Sequence, residues 1–401
     1  MAETLVMSSL KILGLILIMS AAPVEAQQVD DKVAGPNSDI LVSGTSLKDV
    51  QARLRSCLDQ RCPPDKDIDA SLLVAETQFV LGNYKGARTT LLRSVSRNKR
   101  YAKHYPVAVS GLLRADARVA AHLGRAQANF SDSLDMVSAL KAGLPESDAR
   151  VLEARIELGD AYARAGRLDA AVGQYDAVAA RARDLGLSKT AGYALFRIAL
   201  VNAAASALRG DEYYQAAVRA SDRLIGERDP AMTPYATAAK VLKTQLGIRP
   251  GDQAAADRLV ATYGSLARES KEPVLLYAPK LGLPPLSGHE FSDGETLSKL
   301  ALDDFDDQWV DISFRITPDG KVADAEVSQK SPKLVGDWVS PILASIKGRR
   351  YAPVGVDGGG LMRIERYTFT SSWTTTSGSR IDVRSPIPRI EMLDLSLDRR
   401  S

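Results

Sequence analysis

The chain has 401 residues, of which 25% are charged, with a net charge of +3 and three histidines, His104, His122 and His289. That length predicts two or three domains. The nearly balanced charge gives no basic nucleic-acid surface, and histidines this scattered supply neither a metal cluster nor His-based catalysis.

Lys11 precedes an apolar run, Ile12 to Ala22, and Val24-Glu25-Ala26 then places small residues where an export peptidase reads them. The run is too short to span a bilayer. Residues 1–26 are therefore expected to be a cleaved signal peptide, with Met7 as an alternative start. The alternative is an uncleaved anchor that holds the chain at the inner membrane, facing the periplasm. Export implies an oxidising compartment. Cys57 and Cys62, just before Pro63-Pro64, are then expected to form a disulfide, not a Cys-x-x-Cys redox pair. Residues 27–46 are polar and predict a flexible lead-in. Ser46 is placed to cap a helix from Leu47 to Ser56, and Asp67 or Asp69 to cap the next.

From there the chain is rich in Ala and Leu, and glycines recur every 41 to 44 residues at Gly82, Gly124, Gly166, Gly210 and Gly251. Each lies between two helical runs, where glycine permits the left-handed turn that ends a helix. Around one of them, Gly159, Tyr162, Gly166, Ala171 and Tyr175 combine small residues for close helix approach with aromatics to fill the gaps. Ala75, Gly82, Tyr84 and Ala87 repeat the pattern. These positions resemble the packing residues of tetratricopeptide repeats with long helices. The resemblance implies an all-α solenoid over 47–270, because one hairpin cannot bury its own apolar face. Such solenoids present a groove lined by each first helix. Arg114, Arg118, Glu153, Asp160 and Arg164 are the residues expected to face it.

Residues 271–302 carry Pro273, Pro279, Pro284 and Pro285 and predict a linker, with no regular element before about Gly294 and then a short helix, Glu295 to Leu302. The acidic run Asp303 to Asp307 lacks the alternating ligands, glycine and closing Glu of a calcium loop. It is expected to be a solvated approach to the next strand.

Val310, Ile312, Phe314 and Ile316 alternate with polar residues, which predicts a half-buried strand. Pro318-Asp319-Gly320 supplies a turn, and Ala323, Ala325 and Val327 alternate on the return strand. A helix follows, with Val335, Val339, Ile342 and Ile346 on its apolar face. Pro341 either occupies the first position behind a Ser340 cap or kinks the helix. The loop Gly355 to Gly360 precedes a strand and lacks the Lys-Ser/Thr of a phosphate cradle. The third strand, Leu361 to Trp373, should place Tyr367, Phe369 and Trp373 on one face. The tail, 376–401, carries Ile390, Met392, Leu393 and Leu395, and is expected to dock on an open sheet edge or on the solenoid.

Strand, Asp-Gly turn, strand, helix, Arg349-Arg350-Tyr351-Ala352-Pro353 and strand, in that order, resemble the C-terminal domain of TonB-type energy transducers. The matching residues are Phe314, Asp319, Gly320, Val322, Val327, Pro332, Ile346, Arg349, Arg350, Tyr351, Pro353, Tyr367 and Phe369. The resemblance implies an antiparallel ββαβ domain, residues 303–375, that lies in the periplasm and adds a partner's extended segment to its sheet edge. Arg363, Glu365 and Tyr367 would line that edge, with Glu326 where the family uses a glutamine. Two features depart from the family. Residues 1–26 hold no histidine to couple to a proton-driven motor, and the solenoid replaces a proline-rich spacer.

The whole is expected to be an α+β multidomain protein, an all-α solenoid followed by the small sheet. Its expected role is a periplasmic interaction scaffold without enzymatic activity or cofactor. Expected partners are envelope proteins or peptides, an outer-membrane protein among them, or a second copy through the sheet edge. No nucleic acid or small-molecule substrate is expected. The alternative is an energy transducer for outer-membrane transport, retained by its N-terminus. Asp306, Asp311 and Glu326 are read as facing outward, which leaves no paired carboxylates for hydrolysis.

Overall fold

The computed structural model describes residues 46–249, 252–265, 273–279, 281, 308–332, 334, 336–353, 360–375 and 382–396. The expected signal peptide and lead-in, Gly251, the helix Glu295 to Leu302, the acidic run Asp303 to Asp307, Val335 and most of the loop before Gly360 lie outside them. Within them the fold is α+β: a helical N-terminal region followed by a small antiparallel sheet region.

The helices begin with α1 (Leu47–Asp59), capped by Ser46, whose hydroxyl accepts from the Asp49 amide. Cys57 and Cys62 are bonded across the α1–α2 turn. Helix α2 (Pro64–Val80) starts with Pro64 in its first turn, where a missing N–H is harmless. Asp67 is therefore not its cap. It is buried in the helix and accepts from Arg97 and Asn98. Then follow α3 (Tyr84–Asn98), α4 (Pro106–His122), α5 (Ala126–Gly143), α6 (Ala149–Arg164), α7 (Leu168–Asp184), α8 (Ser188–Arg209), α9 (Asp211–Ile225), α10 (Thr233–Leu246) and α11 (Gln253–Tyr263).

The glycine period marks the turns within successive hairpins. Gly82, Gly124, Gly166 and Gly210 have φ of +79°, +72°, +75° and +92°, a region side chains disfavour. The small-and-aromatic pattern is also packing. A Cβ on Gly159 would collide with the Tyr175 ring, and Tyr162 meets Phe130 of the preceding hairpin edge-on, centroids 4.8 Å apart.

The sheet region comprises β1 (Leu275–Tyr277), β2 (Trp309–Ile316), β3 (Val322–Lys330), α12 (Val339–Lys347), β4 (Arg350–Tyr351), β5 (Leu361–Thr375) and β6 (Asp382–Asp394). The main sheet runs β3-β2-β5-β6, with every pair antiparallel. Val310, Ile312, Phe314, Ile316, Tyr367 and Phe369 pack against Trp338, Ile342 and Ile346 on one face. Helix α12 begins at Val339. The Asp337 carboxylate accepts from the Ser340 amide, so Pro341 sits within the first turn and neither expected arrangement for it holds.

Of the two places expected for the tail, the sheet edge is the one its described part takes: β6 adds a fourth strand beside β5. Two expectations are corrected. The linker is not free of regular structure before Gly294, because β1 pairs with β4. Trp373 does not share a face with Tyr367 and Phe369. A register shift between Ser371 and Trp373 turns its indole to the opposite side, between Arg125 and Arg384.

Candidate functional site

The residues expected to receive a partner strand are already engaged. Strand β5 lies between β2 and β6, so its edge is not open. Arg363 forms an ion pair with Asp394 of β6. Glu365 and Tyr367 point into the core beneath α12 and hold the buried Arg349. Its Nη1 donates to both Glu365 carboxylate oxygens at 2.8 and 2.9 Å, and its Nη2 to the Tyr367 hydroxyl at 2.7 Å. Burial and then the Glu365 charge push the Tyr367 phenol far above its usual range. Burial opposes the Arg349 charge, but Glu365, Tyr367 and Tyr351 together outweigh it and raise that pKa. These three residues are engaged with one another inside the sheet region.

Gly320 has φ +81°, and the Tyr351 amide donates to its carbonyl at 2.7 Å. A side chain there would strike the Tyr351 carbonyl. Asp319 lies beside Lys321 and Thr317, which hold its carboxyl down at about 2. Arg350 leaves the sheet and donates to Asp257 and Gln253 of α11. Pro353 lies against Gly264, just beyond α11.

The second face of the sheet is buried against the helices, a contact the alternating pattern did not anticipate. Asp311 was expected to face outward. It does point away from α12, yet it is buried and pairs with Arg366 through bonds of 2.6 and 2.7 Å. Arg366 also donates to the Phe79 and Val80 carbonyls at the end of α2, at 2.6 and 2.8 Å. Both carbonyls lie in the last turn of α2, where α-helical partners run out, and the Phe79 carbonyl also accepts from the Gly82 amide. The guanidinium stacks over Trp309, 4.0 Å from the ring centroid. Thr368 meets Tyr84 Oη at 3.0 Å and His122 Nδ1 at 2.8 Å. The Trp373 amide donates to the Gly124 carbonyl, and Glu391 of β6 lies 3.9 Å from Arg164 of α6. Charged and hydroxyl side chains on alternate positions of β5 were the available signal, but the same pattern marks a solvated face.

The groove residues divide into two groups. Arg114, Arg118, Asp160 and Arg164 come together around a cavity of about 40 Å³ with Asn129, Ser133 and Glu157, enough for water. Arg114 is forked onto Glu157 at 2.9 Å, whereas Glu153 is exposed and outside this cluster. Asp160 is buried, and it accepts from Tyr175 and Arg197. It ties α6 to α7 and α8 and is not a surface contact. Nearby, the fully buried Asp116 of α4 has Arg88 at 3.5 Å. Burial, then Asp116, pushes the adjacent Asp132 carboxyl up to about 7.

Of the expected strand-addition residues, Glu326 alone remains at an accessible edge, exposed on β3. Among the described residues no cluster of three or more His, Cys, Asp or Glu is arranged for a metal ion. No described helix is long and apolar enough to cross a membrane. No family model, curated protein or solved structure matches the chain.

Proposed function

We propose that this protein is an exported interaction scaffold of the cell envelope, with a tetratricopeptide-like helical array and a TonB-like sheet acting as one body. The strand-accepting edge is β3. The observation that carries this reading is the strand order: β3 ends the sheet at one side, while the chain's own β6 closes the β5 side. The outer edge of β6 is interrupted by Pro386 and Pro388, which lack the N–H groups a ladder needs. Strand β3 contains no proline and offers its donors and acceptors along Val322–Lys330. The role is binding, without a reaction.

The test is site-specific photo-cross-linking of the full-length protein in intact envelopes. A probe at the exposed Gln329 should capture a defined envelope protein, and Glu326→Pro should abolish the adduct while the near-UV spectrum stays native. An adduct that persists in Glu326→Pro excludes strand addition at β3. N-terminal sequencing of the exported chain should start at Gln27; a retained Met1 or Met7 excludes cleavage.

A further inference from the structure

The contact between helices and sheet has a composition unlike a permanent core. Trp309 and Trp373 supply its large apolar groups, and around them lie Arg366, Asp311, Arg164, Glu391, Arg389, Arg384, Tyr84, Thr368 and His122. His122 is the last residue of α4 and is 5% exposed. Its ring stands edge-on to Phe79, centroids 4.9 Å apart, and beside Tyr84. Its Nδ1 bonds across the interface to the Thr368 hydroxyl.

The geometry points to His122 as an acid-operated latch between the helical array and the C-terminal sheet: a neutral ring keeps the sheet docked, and a protonated ring releases it. The charges facing it come from every neighbouring element. Arg366 on β5 is paired with Asp311 on β2, Arg164 projects from α6, and Glu391 on β6 is shared with Arg389. Tyr84 faces it from α3, its phenol pushed up to about 12 mainly by burial, so it stays neutral. A new cation at His122 would therefore enter a site with three arginines and two carboxylates already paired. It would also have to leave water without a free anion. Hydrogen bonding points the same way. A protonated ring donates from both nitrogens, so Thr368 can then only accept from it, and where the neutral ring accepts from Thr368 the Tyr84–Thr368–His122 chain must reverse. Burial, with Arg366 and Arg164 adding to it against Glu391, pushes the ring down to about 4. The sign follows: docking is favoured in full above the ordinary histidine range and weakens as pH falls from about 6.5 through about 4. The latch does not depend on whether β3 takes a partner strand.

The full-length protein reports on this directly, because two of its three tryptophans lie in the contact and the third, Trp338, stacks on Phe369 under α12. Near-UV circular dichroism between pH 7.5 and 4 should lose a large part of the tryptophan signal, with a midpoint between pH 4 and 6 and an unchanged far-UV spectrum. His122→Gln, native at pH 7.5, should lose that transition or move it below pH 4. In the wild-type ring NMR spectrum, with three histidines to assign, the resonance missing from His122→Gln should titrate with the same midpoint. A wild-type spectrum that stays flat to pH 4, an identical transition in His122→Gln, or simultaneous loss of the far-UV signal would each overturn the latch.

Discussion

The Trp309 indole occupies the space a side chain on Gly82 would need: a Cβ there would lie 2.8 Å from the ring's Cζ2 and nearer still to its nitrogen. Gly82 and Gly166 share their place in the repeat and their positive φ, yet nothing lies within 4 Å of a Cβ on Gly166. One is a turn glycine, and the other is a turn glycine that also receives the sheet.

The two positions give a paired prediction. Gly166→Ala should lower stability by about 1 kcal/mol, the conformational penalty alone. Gly82→Ala should lower it by a further ~1–3 kcal/mol through overpacking. Urea unfolding of both variants tests this, and equal losses would contradict the docked position of Trp309.

Removing Arg366 should be among the most disruptive single changes. Arg366→Met leaves the buried Asp311 carboxylate without its partner and takes one donor from each of the Phe79 and Val80 carbonyls. A loss of about 3–5 kcal/mol is expected. Pairing it with Asp311→Leu should recover part of that loss in a double-mutant cycle, because the uncompensated charge is gone.

The Asp116–Asp132 pair predicts a fall in stability toward alkaline pH. Asp132 binds its proton more tightly folded than unfolded, so its contribution is complete below about pH 4. It is lost as pH rises through about 7. Asp132 is partly open to solvent, so a difference on the order of 1–2 kcal/mol between pH 5 and 8 is expected. Asp132→Asn should flatten this slope in chemical denaturation, and an unchanged slope would place the effect elsewhere.

Deleting residues 382–401 removes β6 and uncovers β5. An exposed strand edge pairs with whatever edge it meets, so the truncated protein should self-associate. Light scattering after size exclusion should show oligomers that the full-length chain does not form at the same concentration. A truncated protein that stays monomeric would argue against β6 as the cover of that edge.

Local rules carried the sequence reading as far as local geometry reaches. Gly82, Gly124, Gly166 and Gly210 were visible because a positive φ restricts the residue type at one position. Val310, Ile312, Phe314 and Ile316 were visible because a half-buried strand alternates. Asp311, Arg366 and Thr368 were not legible as interface. Polar residues on the far face of a strand look the same whether water or a helix terminus covers them. Arg349 and Glu365 were recognisable as motif and edge residues, but their pairing depends on a tertiary contact that spacing does not encode. Leu275–Tyr277 is too short to show a period, and one register shift beyond Ser371 was enough to send Trp373 to the other side.

A stack of helical hairpins, each touching only its neighbours, behaves mechanically as a spring whose ends can draw apart. Here the sheet region meets the first hairpins through Trp309 and Gly82, and it also meets the last helices. Arg350 reaches Asp257, and Leu276, Tyr277 and Ala352 share a core with Val241 and Leu259. The sheet is thus a strut across the spring. A pull on the sheet would be transmitted to both groups of helices together.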